Sequence, residues 1–148
     1  MTRLALFVVM SLAVVACGTS PGAPAPAVEG TVVPVAPVAS SVAALPAEVS
    51  IADAASMRDA GAFVLDVREP DEWSQGHIPG ATLIPLGELA GRVGELPRDR
   101  SIVVICRSGN RSAQGRAVLL GAGFPSVTSV TGGMTDWIAA GLPVETGG

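Results

Sequence analysis

The chain has 148 residues, a formal net charge of −4 and a mean hydropathy of +0.51, with 49% hydrophobic and only 15% charged residues. All nine basic residues are Arg and none forms a basic run, which argues against a nucleic-acid partner. No stretch reaches the ~18–20 apolar residues of a membrane span, and setting aside residues 1–46, which lack domain character, leaves 148 − 46 = 102 residues, enough for one small domain and too few for two.

Residues 1–16 follow a basic, apolar, small plan. Arg3 is followed by an uncharged stretch from Leu4 to Val15, broken only by Ser11, and then by Ala16 and Cys17. This is the plan of a secretory signal. Val14-Val15-Ala16-Cys17 also resembles a bacterial lipobox, in which the Cys thiol is lipidated and the chain is cut just before it. That resemblance implies a protein anchored on the extracytoplasmic side of the cell envelope through lipid on Cys17. The alternative is an ordinary secretory signal cut after Ala16, which would release the protein.

Residues 17–46 read as a tether. Six of the twelve prolines lie there (Pro21, Pro24, Pro26, Pro34, Pro37 and Pro46), with Glu29 as the sole charge. Prolines at this density block helix and sheet ladders alike, and no aromatic residue anchors a core. Such a segment is expected to be disordered with polyproline-II character, and it would reach roughly 90 Å if fully extended.

Residues 47–148 carry the folded domain. Ser50 opens a helix over Ile51 to Arg58, and Gly61 closes it. Phe63 to Val67 is a short buried strand. Pro70 starts a brief helix to Gln75. Ala81 to Ile84 reads as a strand, and Leu86 to Leu96 as a helix weakened by Gly91 and Gly94. Ser101 to Ile105 is the best strand, continuous and β-branched, and therefore central. Arg111 to Leu120 is the clearest helix. Val127 to Val130 is another strand, and Met134 to Ala140 a last helix. This alternation predicts an α/β domain with a mainly parallel central sheet flanked by helices on both faces. Sites in such sheets lie beyond the carboxyl ends of the strands. That rule selects Asp66 to Glu69 and Cys106 to Arg111.

Cys106-Arg107-Ser108-Gly109-Asn110-Arg111 joins the central strand to the clearest helix. Gly109 permits backbone geometry that a Cβ would block. Inward-pointing loop amides and the helix N-terminus would form an anion cradle. Positive potential favours thiolate over thiol, so Cys106 is expected to be a poised nucleophile with a depressed pKa. The bland alternative is a buried Cys that merely ends a strand. Phosphate-ester hydrolysis, arsenate reduction and sulfur transfer all remain open to such a loop.

Cys106 to Arg111 resembles the active-site loop of the rhodanese-type sulfurtransferases. The stretch from Asp66 to Ala81 is similar to that family's Asp-x-Arg, Glu-Trp and Gly-His-Ile-x-Gly-Ala elements, here Asp66-Val67-Arg68, Glu72-Trp73 and Gly76-His77-Ile78-Pro79-Gly80-Ala81. Gly132-Gly133-Met134 with Trp137 is similar to its carboxyl-terminal signature. The resemblance covers residues 47–148 and implies a rhodanese-like fold. Family members acting on sulfur have six loop residues, as Cys106 to Arg111 does, whereas their phosphatase and arsenate-reductase relatives have seven. A persulfide needs a smaller cradle than a tetrahedral oxyanion.

The resemblance implies that Cys106 attacks the outer sulfur of a donor such as thiosulfate, that sulfite leaves, and that a Cys106 persulfide then passes its sulfur to cyanide, a thiol or sulfite. Arg107, Ser108, Gly109, Asn110 and Arg111 would bind the substrate. Arg107 is expected to face incoming anions. Arg111 is expected to fix the loop by pairing with Asp66, and Arg68 to be a structural ion-pair partner, with substrate contact as the alternative. His77, the sole His, is expected to be a turn residue bonded to backbone, and Trp73 and Trp137 core or cover residues. No cluster has metal-ligand spacing and no nucleotide fingerprint occurs, so no metal or cofactor is expected. A module that binds or carries sulfur for a protein partner without catalysis is the competing reading; the intact Cys106 loop favours catalysis. A lipidated Cys17 and a persulfide-bearing Cys106 exclude a disulfide between the two cysteines.

Overall fold

Four consecutive β-branched residues, Ile102–Ile105, are all buried and form the middle strand of a parallel sheet. The computed structural model describes residues 44–147. The expected signal segment, Cys17 and nearly all of the expected tether lie outside these described residues.

The order along the chain is β1 (Glu48–Val49), α1 (Ile51–Asp59), β2 (Phe63–Asp66), α2 (Pro70–Gln75), β3 (Thr82–Leu83), α3 (Leu86–Arg92), a 3-10 turn (Val93–Glu95), β4 (Ile102–Ile105), α4 (Asn110–Gly121), β5 (Val127–Val130) and α5 (Gly133–Ala139). The sheet has five strands in the order β1-β5-β4-β2-β3, and every pairing is parallel. Register places Leu65 beside Val104 and Asp66 beside Ile105. Asp66 and Cys106 thus emerge together at the carboxyl edge, where the strand order makes such sheets bind ligands.

Strand alternation sends successive β4 side chains to opposite faces. Ile102, Val104 and Cys106 join Leu89 of α3 and Leu119 of α4 in one core, with Leu65, Val67, Ile84 and Phe124. Val103 and Ile105 join Ala54 of α1 with Met134 and Trp137 of α5 in the other. Helices therefore cover both faces, as the apolar pattern required. Burial of each large aliphatic side chain contributes about 1.5–3 kcal/mol.

Local signals account for most boundaries. The Ser50 hydroxyl accepts from the Asp53 N–H at 3.2 Å and caps α1. Pro70 occupies the first turn of α2, and Glu69 and Glu72 form a reciprocal capping box there. Beyond one-residue shifts at helix and strand ends, three elements differ from the sequence reading. The helix expected over 86–96 ends at Arg92 and tightens into the 3-10 turn that contains Gly94. Glycine's backbone freedom disfavours a longer α-helix there. The strand expected over 81–84 shortens to Thr82–Leu83. β1 was not anticipated: it pairs with β5, and Ser129 N–H reaches the Ala47 carbonyl at 3.0 Å.

Candidate active site

Cys106 sits one residue beyond β4 and is 1% exposed. Its Sγ accepts a hydrogen bond from the Gly109 N–H at 3.1 Å and lies 3.8 Å from the Ser112 hydroxyl. Burial pushes the thiol up, but the backbone N–H groups of Ser112, Ser108 and Gly109, together with the Ser112 hydroxyl, outweigh it. The net result holds Cys106 below its ordinary value. Cys106 is a free thiol.

The loop turns its amides inward because α5 takes its carbonyls. Met134 N–H donates to the Cys106 carbonyl at 2.8 Å, and Thr135 N–H to the Arg107 carbonyl at 3.1 Å. The Thr135 hydroxyl adds a third bond, to the same Arg107 oxygen, at 3.0 Å. In a planar trans peptide the C=O and the next N–H point opposite ways. Carbonyls drawn towards α5 therefore turn the following amides to the other side, and the Ser108 N–H is among the groups that favour the charged form of Cys106. This approach requires glycine at 133. Its φ is +59°, and a Cβ there would overlap the Cys106 carbonyl oxygen and lie 2.6 Å from the Arg107 carbonyl carbon. Gly109, with φ +105°, makes the reversal that brings its own N–H onto the sulfur.

Ser112 is fully buried on the first turn of α4. Its hydroxyl donates to the Gly109 carbonyl at 2.6 Å and is 3.4 Å from the Val130 carbonyl. It joins loop, helix and β5 directly behind Cys106. The sequence reading named neither Ser112 nor the role of Gly133. Ser112 lies one residue past the loop, at the position one would search for a hydroxyl aimed back at Cys106.

The basic residues divide into two sets. Arg68 is 4% exposed, and its guanidinium donates to both Asp66 carboxylate oxygens at 2.7, 2.9 and 3.0 Å. It also donates to the Glu72 and Gly76 carbonyls. This is the structural ion pair expected of Arg68. The expected pairing of Arg111 with Asp66 is corrected: Arg111 binds Glu72 through two bonds of 2.7 Å. Asp66 is fully buried and already saturated by a residue two positions away, whereas Glu72 is delivered by α2 to the mouth of the loop. The Arg111 guanidinium holds the Glu72 carboxyl down at about 2, and Glu72 in turn raises the pKa of Arg111. Arg107, Ser108 and Asn110 are exposed on the rim. Arg107 has no side-chain partner among the described residues.

His77 is 5% exposed and stacks on Trp73 with ring centroids 3.6 Å apart. Its Nδ1 lies 3.1 Å from the Trp73 carbonyl and its Nε2 3.3 Å from Glu145. It therefore bonds to backbone, as expected, and also ties down the segment around Glu145, with which it forms an antiparallel bridge. Trp137 is buried, and its indole N–H donates to the Pro143 carbonyl at 2.9 Å. Among the described residues no group of three His, Cys, Asp or Glu side chains is placed to hold a metal. No helix of the described residues is long and apolar enough to cross a membrane.

A buried, amide-cradled cysteine at the carboxyl edge of a five-stranded parallel sheet has clear relatives. Residues 50–140 match the model of the rhodanese-like domain. A protein named sulfurtransferase from Allochromatium vinosum is 41% identical over 82 residues, covering 55% of this chain and 77% of its own length. The thiosulfate sulfurtransferase GlpE of Pseudomonas syringae pv. syringae is 37% identical over 84 residues, 57% of this chain and 79% of its own. The crystal structure of a rhodanese-related protein from Thermoplasma volcanium superposes with a TM-score of 0.64 at 37% identity, covering 69% of this chain and all of that one. The chain belongs to the rhodanese-like family.

Proposed function

We propose that the protein is a sulfurtransferase that moves sulfane sulfur from a thiosulfate-type donor to a thiophilic acceptor through a persulfide on Cys106. The observation that carries this reading is the Gly109 N–H on the Cys106 sulfur at 3.1 Å, within a loop whose carbonyls are turned away by α5. The thiolate attacks the outer sulfur of thiosulfate. The new Sγ–S bond forms as the S–S bond of the donor breaks, and sulfite leaves with the bonding pair. The terminal sulfur of the persulfide then lies among the loop amides, which stabilise its negative charge. An acceptor attacks that sulfur and the electron pair returns to Sγ, so no external redox agent enters the cycle. Arg107 meets the donor anion. Arg111, neutralised by Glu72, shapes the loop. The relatives named for thiosulfate sulfurtransfer support the donor class.

The test is mass spectrometry after incubation with thiosulfate. A ~32 Da adduct on Cys106 that cyanide removes is the expected result. Absence of an adduct, with thiocyanate production unchanged in Cys106→Ala, would overturn the reading. The Val14-Val15-Ala16-Cys17 motif supports an extracytoplasmic, lipid-anchored location. Cys17→Ala should release the protein from membranes, and unchanged fractionation defeats that assignment.

A further inference from the structure

The Cys106–Arg111 loop rests on two supports. α5 holds its start, where the Met134 and Thr135 amides take the Cys106 and Arg107 carbonyls. α2 holds its end, where Glu72 takes the Arg111 guanidinium. A cavity of about 410 Å³ separates the two supports, with Asp71, Gln75 and Gly76 on one side and Met134, Thr135 and Ile138 on the other. The helices therefore do not brace each other across that gap. α5 is also short, with seven residues and no side-chain cap at its start.

Residues 142–147 bind both supports. At α5, the Trp137 indole N–H donates to the Pro143 carbonyl at 2.9 Å, and the Leu142 N–H returns to the Trp137 carbonyl at 3.3 Å. At α2, Glu145 and His77 exchange both backbone bonds, at 2.8 and 2.9 Å, and the Gly147 N–H donates to the Ser74 carbonyl at 3.2 Å. Val144 packs so closely on Gly76 that a Cβ there would come within 2.9 Å of its side chain. The Glu145 carboxylate lies 3.3 Å from the His77 ring, which itself stacks on Trp73 of α2. The contacts close a circuit that runs from the loop through Arg111 to α2, along residues 142–147 to Trp137, and through α5 back to the loop.

We propose that residues 142–147 are a strap that sets the reactivity of Cys106 from a distance, with Trp137 and Glu145 as its positioning residues. The sulfur's own partners are Gly109 and Ser112, so the strap acts on it only through α5 and the loop. With the strap bound, α5 is held where its first amides keep the Cys106 and Arg107 carbonyls turned away from the thiol. With the strap detached at either end, α5 loses its tie to α2. Its bonds to the two carbonyls then weaken, and the loop amides lose the fixed direction that favours the thiolate. A site held to fractions of an ångström depends on such outer supports as much as on the groups that touch the reacting atom.

The test is the pH profile of Cys106 alkylation in the full chain, read on the Cys106 peptide by mass spectrometry. It requires no sulfur transfer and stands apart from that reading. Glu145→Pro removes the N–H that binds His77 and the carboxylate beside the ring, on a side chain that is 53% exposed, so the core is left intact. Trp137→Phe removes the bond to Pro143 and keeps an aromatic ring in the core. Each variant should move the midpoint up. Well below the midpoint, the alkylation rate should fall about two- to fivefold, the range of one weakened hydrogen bond. The double variant should lose little more than the larger single effect, because either cut opens the same circuit. A purely structural role would lower the thermal midpoint and leave the pH profile in place. An unmoved profile in Glu145→Pro, in protein that a thermal melt shows to be folded, overturns the proposal, and so does full additivity in the double variant. If Trp137→Phe does not fold, Glu145→Pro decides alone.

Discussion

Glu72 and Arg111 meet through two hydrogen bonds of 2.7 Å across 39 residues of sequence, joining the first turn of α2 to the first turn of α4. The pair ties the end of the Cys106–Arg111 loop to α2. Arg111 holds the Glu72 carboxyl down at about 2, against an ordinary value of 4.5. A carboxyl depressed in the folded state stabilises the fold above its unfolded pKa, and that contribution is lost as pH falls from about 4.5 towards 2. Urea denaturation across that window should show the loss. Glu72→Gln should flatten the dependence and cost about 1–2 kcal/mol at neutral pH, since the pair is partly exposed.

The Cys106 thiol should titrate below a free cysteine. Alkylation by iodoacetamide as a function of pH should therefore show a midpoint below that of a free cysteine thiol in the same buffer. Ser112→Ala removes a hydroxyl that faces the sulfur and leaves the Gly109 carbonyl without a 2.6 Å donor. The midpoint should move up, because the thiolate loses a stabilising group while its burial is unchanged. Stability should drop by about 1–2 kcal/mol. An unmoved midpoint would show that Ser112 only braces the loop.

Gly133→Ala should be far more damaging than an ordinary surface change. The added methyl would overlap the Cys106 carbonyl, and the backbone is held at φ +59°. Relief requires α5 to withdraw, which breaks the Met134 bond to Cys106 at 2.8 Å and frees the loop carbonyls to rotate. A loss of about 2–4 kcal/mol is expected, together with loss of persulfide formation in the protein that still folds. Thermal melts and the thiosulfate adduct assay would show both.

Arg68→Met should destabilise more than removal of any exposed Arg. It strands the fully buried Asp66 carboxylate and deprives the Glu72 and Gly76 carbonyls of their donors. Breaking a buried pair in this way costs about 3–5 kcal/mol. Arg98→Met, by contrast, removes an exposed side chain that stacks over Phe124 and donates at 3.3 Å to the Ala122 carbonyl, and should cost well under that in the same denaturation experiment.

Local pattern determined much of this protein. The unbroken run Ile102–Ile105 could bury both faces only as a central strand, and Ser50, Pro70 and Gly61 marked helix ends through their own backbone chemistry. Cys106 at the end of that strand, with two Arg and a Gly in the following loop, marked the candidate site. The two-residue β1 carries no periodicity to read, and it is a strand because β5 leaves an edge to pair with. The choice between Asp66 and Glu72 as the partner of Arg111 likewise lay outside local pattern. Both acids sit in the same motif, and the outcome depends on Arg68 folding back onto Asp66 while α2 carries Glu72 to the loop. The inward aim of the cradle amides depends on α5 seizing the Cys106 and Arg107 carbonyls from a position 28 residues away. Strand and helix identity follow from short-range backbone and burial preferences, whereas ion-pair partners and amide direction are set by which groups the packed sheet brings within 3 Å.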